Sequence, residues 1–138
     1  MFAVLADINW IAIAVAFVIS AVLAGVYFPV IIAKPYIVAL GRRDAPKPAG
    51  SALANFGPVV CVLVTTITTA VLLRALDVAS IRDAIIFGLI VGVGYLAAMT
   101  FQIAINPNFP RPVLYGLINA PYFVLSSLIS SIVLVAMR

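Results

Sequence analysis

Ser80 to Pro110 reads "SIRDAIIFGLIVGVGYLAAMTFQIAINPNFP". It opens on a capping-box pattern: the Ser80 hydroxyl can accept from the amide of residue 83, and Asp83 places negative charge at a helix N-terminus. From Ala84 onward it carries no charge until Arg111. A helix crossing the hydrocarbon core needs about 20 apolar residues at about 1.5 Å each, and this run exceeds that. It stops at "NPNFPRP" (Asn106 to Pro112), where Pro107 pushes Asn106 out of helical geometry and Pro110 and Pro112 cannot donate into a preceding turn.

Three further runs have the same character: Ile8 to Ala33, Ala49 to Leu73, and Pro112 to Met137. The chain has 138 residues, 66% hydrophobic and 9% charged. A water-soluble domain is about half apolar and about a quarter charged. The expectation is an all-α membrane protein, residues 1–138 forming a single four-helix transmembrane domain. Its spans are expected at about 9–33, 52–76, 81–105 and 113–137, in two antiparallel hairpins, with the helices broken or kinked by proline at one end. No soluble domain is expected beside them. The first run lacks a basic leader and is too long for a signal-peptide core. "DINW" (Asp7 to Trp10) suits an interfacial start, with Asp7 or Asn9 as cap and Trp10 at headgroup depth.

The Lys and Arg counts set an expected orientation. Lys34, Arg42, Arg43, Lys47 and Arg111 fall on the linkers at one end, and Arg74, Arg82 and Arg138 at the other. The richer end belongs in the cytoplasm, so both termini are expected outside the cytoplasm of a multi-pass inner (plasma) membrane protein. Trp10, Arg42, Arg43 and Arg111 are the expected interface anchors.

All nine prolines fall in the half of the molecule assigned to the cytoplasm. Pro29, Pro58 and Pro121 lie inside apolar runs, within "GVYFP", "ANFGP" and "NAPYF". Proline at membrane depth frees carbonyls that lipid cannot satisfy. Two arrangements fit. Prolines, tyrosines and asparagines can simply sit near helix ends at the headgroup interface. Alternatively, broken helices converge on a polar vestibule lined by Tyr27, Asn55, Gln102, Asn106, Asn119 and Tyr122. Gln102 carries most weight in that second arrangement, since it lies inside a span with no charge nearby and needs a partner.

Ala84, Gly88 and Gly92 recur every four residues, a small-residue stripe suited to close helix packing. Ser126 with Ser130, and Ser127 with Ser131, stack at i, i+4. These serines and Thr65 to Thr69 can bond one turn back or across helices, and a polar pore lining is the competing role. Such stripes also suit a homo-oligomer or docking onto a larger membrane complex.

The chain contains no His, and all four of its acids are aspartates: Asp7, Asp44, Asp77 and Asp83. That excludes a His-built zinc site and a Ser-His-Asp or Cys-His nucleophile system. The lone Cys61 allows no internal disulfide and suits a small apolar side chain. The titratable groups at membrane depth are Cys61, Tyr27, Tyr95, Tyr115 and Tyr122, with ordinary pKa values of about 8.5 and about 10, poor for acid–base work at neutral pH. No catalytic residue, metal or cofactor is expected, and the net charge of +4 is read as a topology signal, so the expected partner is the bilayer and no nucleic acid. A non-enzymatic oligomeric or accessory membrane protein is the first expectation. A small transporter or channel with a polar cytoplasmic-side vestibule is the alternative, and an enzyme is the weakest.

One resemblance covers nearly the whole chain. "NW" (Asn9, Trp10) precedes an alanine-rich span. Then come G-x-Y-x-P (Gly25, Tyr27, Pro29), Lys34, "ALG" (Ala39 to Gly41), an "FQ…N" exit and the entry "YGLINAPY" (Tyr115 to Tyr122). This resembles the bacterial membrane family catalogued as domain of unknown function 1761. That family often carries Trp beside the first-span tyrosine, where this chain has Val26 and Phe28. The resemblance implies four spans and adds no catalytic residue.

Overall fold

The computed structural model describes residues 2–46 and 50–138; Lys47, expected among the cytoplasmic cations, lies outside the described residues. Four helices are long and apolar enough to cross a membrane: span 1 (Trp10–Ile31), span 2 (Ala52–Ala75), span 3 (Ile81–Ala104) and span 4 (Pro112–Ala136). A short helix, Ala33–Ala39, follows span 1, and a 3-10 turn, Phe2–Asp7, precedes it. No strand occurs among the described residues. The architecture is the all-helical four-span one expected.

The helix starts follow from their caps. Asn9 accepts from the amides of Ile11 (3.0 Å) and Ala12 (3.2 Å). Ser51 accepts from Ala54 (3.1 Å), and Ser80 from Asp83 (3.0 Å). The Ser80 hydroxyl donates in turn to the Asp83 carboxylate (2.7 Å). Each satisfies an amide that the helix itself leaves without an acceptor. Of the two candidates at the start of span 1, Asn9 is the cap, while Asp7 faces Arg74 of span 2 at 3.8 Å.

Span 4 is the hub. It packs against spans 1, 2 and 3, and the short helix also rests on it. Its seam with span 3 explains the small-residue stripe. A Cβ on Gly88 would stand 3.0 Å from the Leu128 Cα, and one on Gly92 would stand 3.0 Å from the Val124 Cα. Only glycine lets the two backbones come this close. Ala84 is wholly buried on the same stripe. Ser127 donates across the seam to the Gly88 carbonyl at 2.9 Å. Span 1 meets span 4 through the Ser20 and Ser130 hydroxyls, 3.3 Å apart, and through Tyr27, whose hydroxyl donates to the Ile118 carbonyl at 2.8 Å.

Two spans leave regular α-geometry. Span 1 widens into a π-helical turn, Tyr27–Ile31, around Pro29, before the chain bends into the short helix. Span 3 does so over Ile90–Ala97 without any proline, where Gly92 and Gly94 loosen the backbone. Pro58 and Pro121 lie within continuous α-helix.

Span 2 is seated by one half only. Its buried residues are Thr66, Thr69, Ala70 and Leu73, and from Ala52 to Thr65 no residue is buried. The Asp77–Ser80 connection is short, yet span 2 packs on spans 1 and 4, with no substantial packing on span 3 among the described residues. Ile8, Ala12, Ile13, Ala16, Ala70, Leu73, Ala84, Leu134 and Val135 form the core at the termini end. At the other end Tyr27, Ile32 and Tyr122 form a second, aromatic cluster between spans 1 and 4.

Candidate binding groove

At the end bearing the long loop, the unseated half of span 2 stands away from the bundle. The gap is a groove of about 930 Å³. Its outer wall is one helical stripe of span 2 that includes Ala54, Asn55, Pro58, Cys61, Val62 and Thr65, at the three- and four-residue spacing of a single face. The floor is span 4, through Tyr115, Asn119, Tyr122, Phe123 and Ser126. Span 1 closes one side with Ala21, Ala24, Gly25 and Phe28, and Leu96 of span 3 reaches the other.

Most of the lining is apolar, with isolated polar groups, the composition typical of sites for small organic molecules. Aromatic rings run from the mouth inward. Phe109 meets Tyr115 at 4.7 Å between centroids, Tyr115 meets Tyr36 at 5.6 Å, and Phe28 meets Tyr122 at 4.9 Å. Edge-on and tilted ring contacts of this length add rigidity to the floor. Pro58 cannot donate to the Ala54 carbonyl one turn back, and both residues line the groove.

The structure brings three of the six vestibule candidates to this groove: Asn55, Asn119 and Tyr122. Asn119 is 3% exposed, and its amide nitrogen donates to the Tyr115 carbonyl at 2.7 Å. Its carboxamide oxygen takes no protein donor and is not sealed from the groove. The Tyr122 hydroxyl reaches the Ser20 carbonyl at 3.4 Å. The other three candidates stand elsewhere. Tyr27 is buried just behind the wall, its hydroxyl spent on Ile118. Asn106 shapes its own loop, donating to the Ile103 carbonyl and accepting from the Asn108 amide at 2.8 Å. Gln102 is exposed on span 3, outside the groove lining.

Sequence reasoning missed Tyr36, Tyr115 and Ser126 as lining. A signal was present: Tyr115, Asn119, Tyr122 and Ser126 follow one another at four, three and four residues, a polar-aromatic stripe on a helix otherwise apolar. The expected packing residues divide by neighbour. Ala84, Gly88, Gly92, Ser127 and Ser131 serve the seam between spans 3 and 4, Ser130 faces span 1, and Ser126 faces the groove. Thr65, Thr66, Thr68 and Thr69 each donate one turn back within span 2, at 2.8 to 2.9 Å.

The opposite end is closed. Arg138 pairs with Asp77 and donates to the Val78 carbonyl at 3.0 Å. Asn9 donates to the Met137 carbonyl at 2.7 Å, which ties the two ends of the bundle chain together. A small hollow of about 160 Å³ lies there. The Arg138 guanidinium, by hydrogen bond first and by charge second, holds the Asp77 carboxyl below its usual range. Trp10 is 58% exposed at this end, while Arg42, Arg43 and Arg111 are exposed at the groove end.

Three long apolar helices packed on a fourth, with a one-sided groove, make an all-helical protein whose four spans suit the multi-pass membrane class. Residues 11–135 match the family described as "Protein of unknown function (DUF1761)", and the chain belongs to that family. No curated protein and no solved structure matches it significantly.

Proposed function

We propose that this chain is a non-enzymatic multi-pass membrane protein that holds a membrane-dissolved guest in the groove between spans 1, 2 and 4. The observation that carries the reading is the groove itself: about 930 Å³, apolar with polar points, walled by a helix half that has no buried residue. A helix at membrane depth faces lipid wherever it does not face protein, so this wall borders acyl chains. Three of the polar groups around it, Thr65, Asn119 and Tyr122, already donate to backbone carbonyls, and the rest of the lining is largely apolar, which favours retention of an amphipathic molecule over a water-filled pore.

The same reading favours the small-transporter alternative over the oligomer built on the glycine stripe. That stripe is spent between spans 3 and 4 of one chain, so it offers no free face to a second copy. Charge supports the expected orientation. The groove end has five bases against Asp44, and the termini end has three bases against three aspartates. The first end belongs in the cytoplasm and both termini outside it, in a plasma membrane. A reporter fused after Arg138 that works only in the cytoplasm would reverse this.

Cys61 is unique, exposed and part of the groove wall, so it accepts a fluorophore without other changes. In vesicles, doxyl-labelled acyl chains should quench that fluorophore. Gly25→Leu projects into space where a Cβ meets nothing within 4 Å, and it should reduce quenching at Cys61. Quenching at a cysteine placed at Val60, which is 57% exposed and outside the groove lining, should stay the same. Unchanged quenching at Cys61 in Gly25→Leu would sink the reading.

A further inference from the structure

Two independent features meet at the mouth of the groove. The first is the floor stripe of span 4. Continued one turn outward from Tyr115, the series Tyr122, Asn119, Tyr115 reaches Arg111, four residues back and on the same face. The Tyr115 amide donates to the Arg111 carbonyl at 3.0 Å, so Arg111 caps the first turn of the floor helix, its own backbone already outside helical geometry at φ −135° and ψ 71°. Arg111 therefore stands at the start of the floor helix, one turn outward from Tyr115.

The second is the turn after the short helix. Gly41 adopts φ +65°, and a Cβ there would lie 2.9 Å from the Pro110 Cγ. This contact sets Arg42 and Arg43 beside the loop that carries Arg111. All three are exposed, and neither of the two ion pairs among the described residues involves them; both lie at the opposite end. Asp44 is the one acid near this corner in sequence. An apolar groove at membrane depth thus ends beside loops carrying three exposed arginines that form no ion pair among the described residues.

We propose that the occupant of the groove is one acyl chain of an anionic phospholipid, its phosphate held at the mouth by Arg111, Arg42 and Arg43. This rests on the guest-binding reading above. Guanidinium groups recognise phosphate through paired N–H donors, and a headgroup at this depth is where such cations meet lipid phosphate. A glycerol-linked headgroup carries the net negative charge that the cluster lacks. A zwitterionic headgroup brings its own ammonium and cancels the gain. The tyrosine and phenylalanine rings flank the glycerol region, and the apolar wall of span 2 takes the chain below.

The test uses the full chain labelled at Cys61, in phosphatidylcholine vesicles containing doxyl-labelled phosphatidylglycerol or, at equal mole fraction, doxyl-labelled phosphatidylcholine. The expected result is stronger quenching by the phosphatidylglycerol. The cation contribution corresponds to a preference of about fivefold for each arginine engaged. The preference should be absent at a Val60→Cys site in a Cys61→Ala background. Combined Arg42→Gln, Arg43→Gln and Arg111→Gln should abolish the preference at Cys61, with helicity by circular dichroism unchanged. Equal quenching by the two lipids at Cys61 overturns the headgroup assignment and leaves the groove occupied by lipid in general. A preference as large at the Val60 site also overturns it, since surface attraction would then suffice. Absence of quenching by either lipid overturns occupancy itself, and this inference with it.

Discussion

Ser127 donates its hydroxyl to the Gly88 carbonyl across a seam where the two helix backbones approach closely enough that a Gly88 Cβ would stand 3.0 Å from the Leu128 Cα. The hydrogen bond and the missing side chain depend on each other. Without glycine the backbones separate, and the serine no longer reaches.

Gly88→Ala should therefore destabilise the bundle by about 1–3 kcal/mol, the usual cost of overpacking a close contact. Ser127→Ala should cost about 1 kcal/mol, the scale of an interhelical hydrogen bond in a membrane. Gly25→Ala, with open space around its Cβ, is the control and should stay within about 0.5 kcal/mol. Reversible unfolding in mixed micelles checks the set. Equal losses at Gly88 and Gly25 would contradict the seam.

The clasp at the termini end makes a pH prediction. Arg138 lowers the Asp77 pKa from its ordinary 3.8. A depressed carboxylate contributes stability that is present above 3.8 and is lost as pH falls through the folded value below it. Thermal stability should thus fall on acidification through that window, and Asp77→Asn should remove this part of the fall. Asp77 sits at φ 51°, a conformation asparagine tolerates, so the substitution leaves the turn intact. High salt should mimic it, because the pair is exposed.

Gly41 makes a third prediction. Gly41→Ala forces an L-residue into the left-handed region and against Pro110, at a cost of about 1–2 kcal/mol. Gly50→Ala meets nothing within 4 Å and needs no positive φ, so it should be neutral. A larger loss at Gly50 in the same unfolding assay would refute the turn.

Gln102, which the sequence weighted most among the vestibule candidates, and Asn119 should now separate. Asn119→Leu removes the carboxamide that donates to Tyr115 and lines the groove, so it should weaken quenching at Cys61 by guest lipid. Gln102→Leu lies outside the groove and should leave that signal unchanged. If Gln102→Leu has the larger effect, the floor has been assigned to the wrong helix.

Much was legible along the chain. The four runs became four spans because length and apolarity decide whether a segment can cross hydrocarbon, and both are local properties. The caps at Asn9 and Ser80 are likewise contacts over two or three residues. The glycine stripe showed which face of span 3 would pack closely, yet its partner could have been another chain. The seat beside Val124 and Leu128 of span 4 is a tertiary fact. The same limit applied to the vestibule candidates. Polarity at membrane depth is visible in sequence, but Asn119 lines the groove, Tyr27 is spent on a neighbouring backbone and Gln102 faces outward because of how each helix is rotated. The widening of span 3 had no proline to announce it. By itself, then, the sequence determined the spans, their ends and the charge difference between the two faces, since each depends on residues near one another in the chain. Tertiary structure alone decided that span 4 is the hub, that span 2 is seated by only one half, and that a groove opens between spans 1, 2 and 4. Those follow from which helix faces meet, and that depends on contacts between residues far apart in the chain, such as the hydrogen bonds of Tyr27 and Tyr122, which join residues 91 and 102 positions apart.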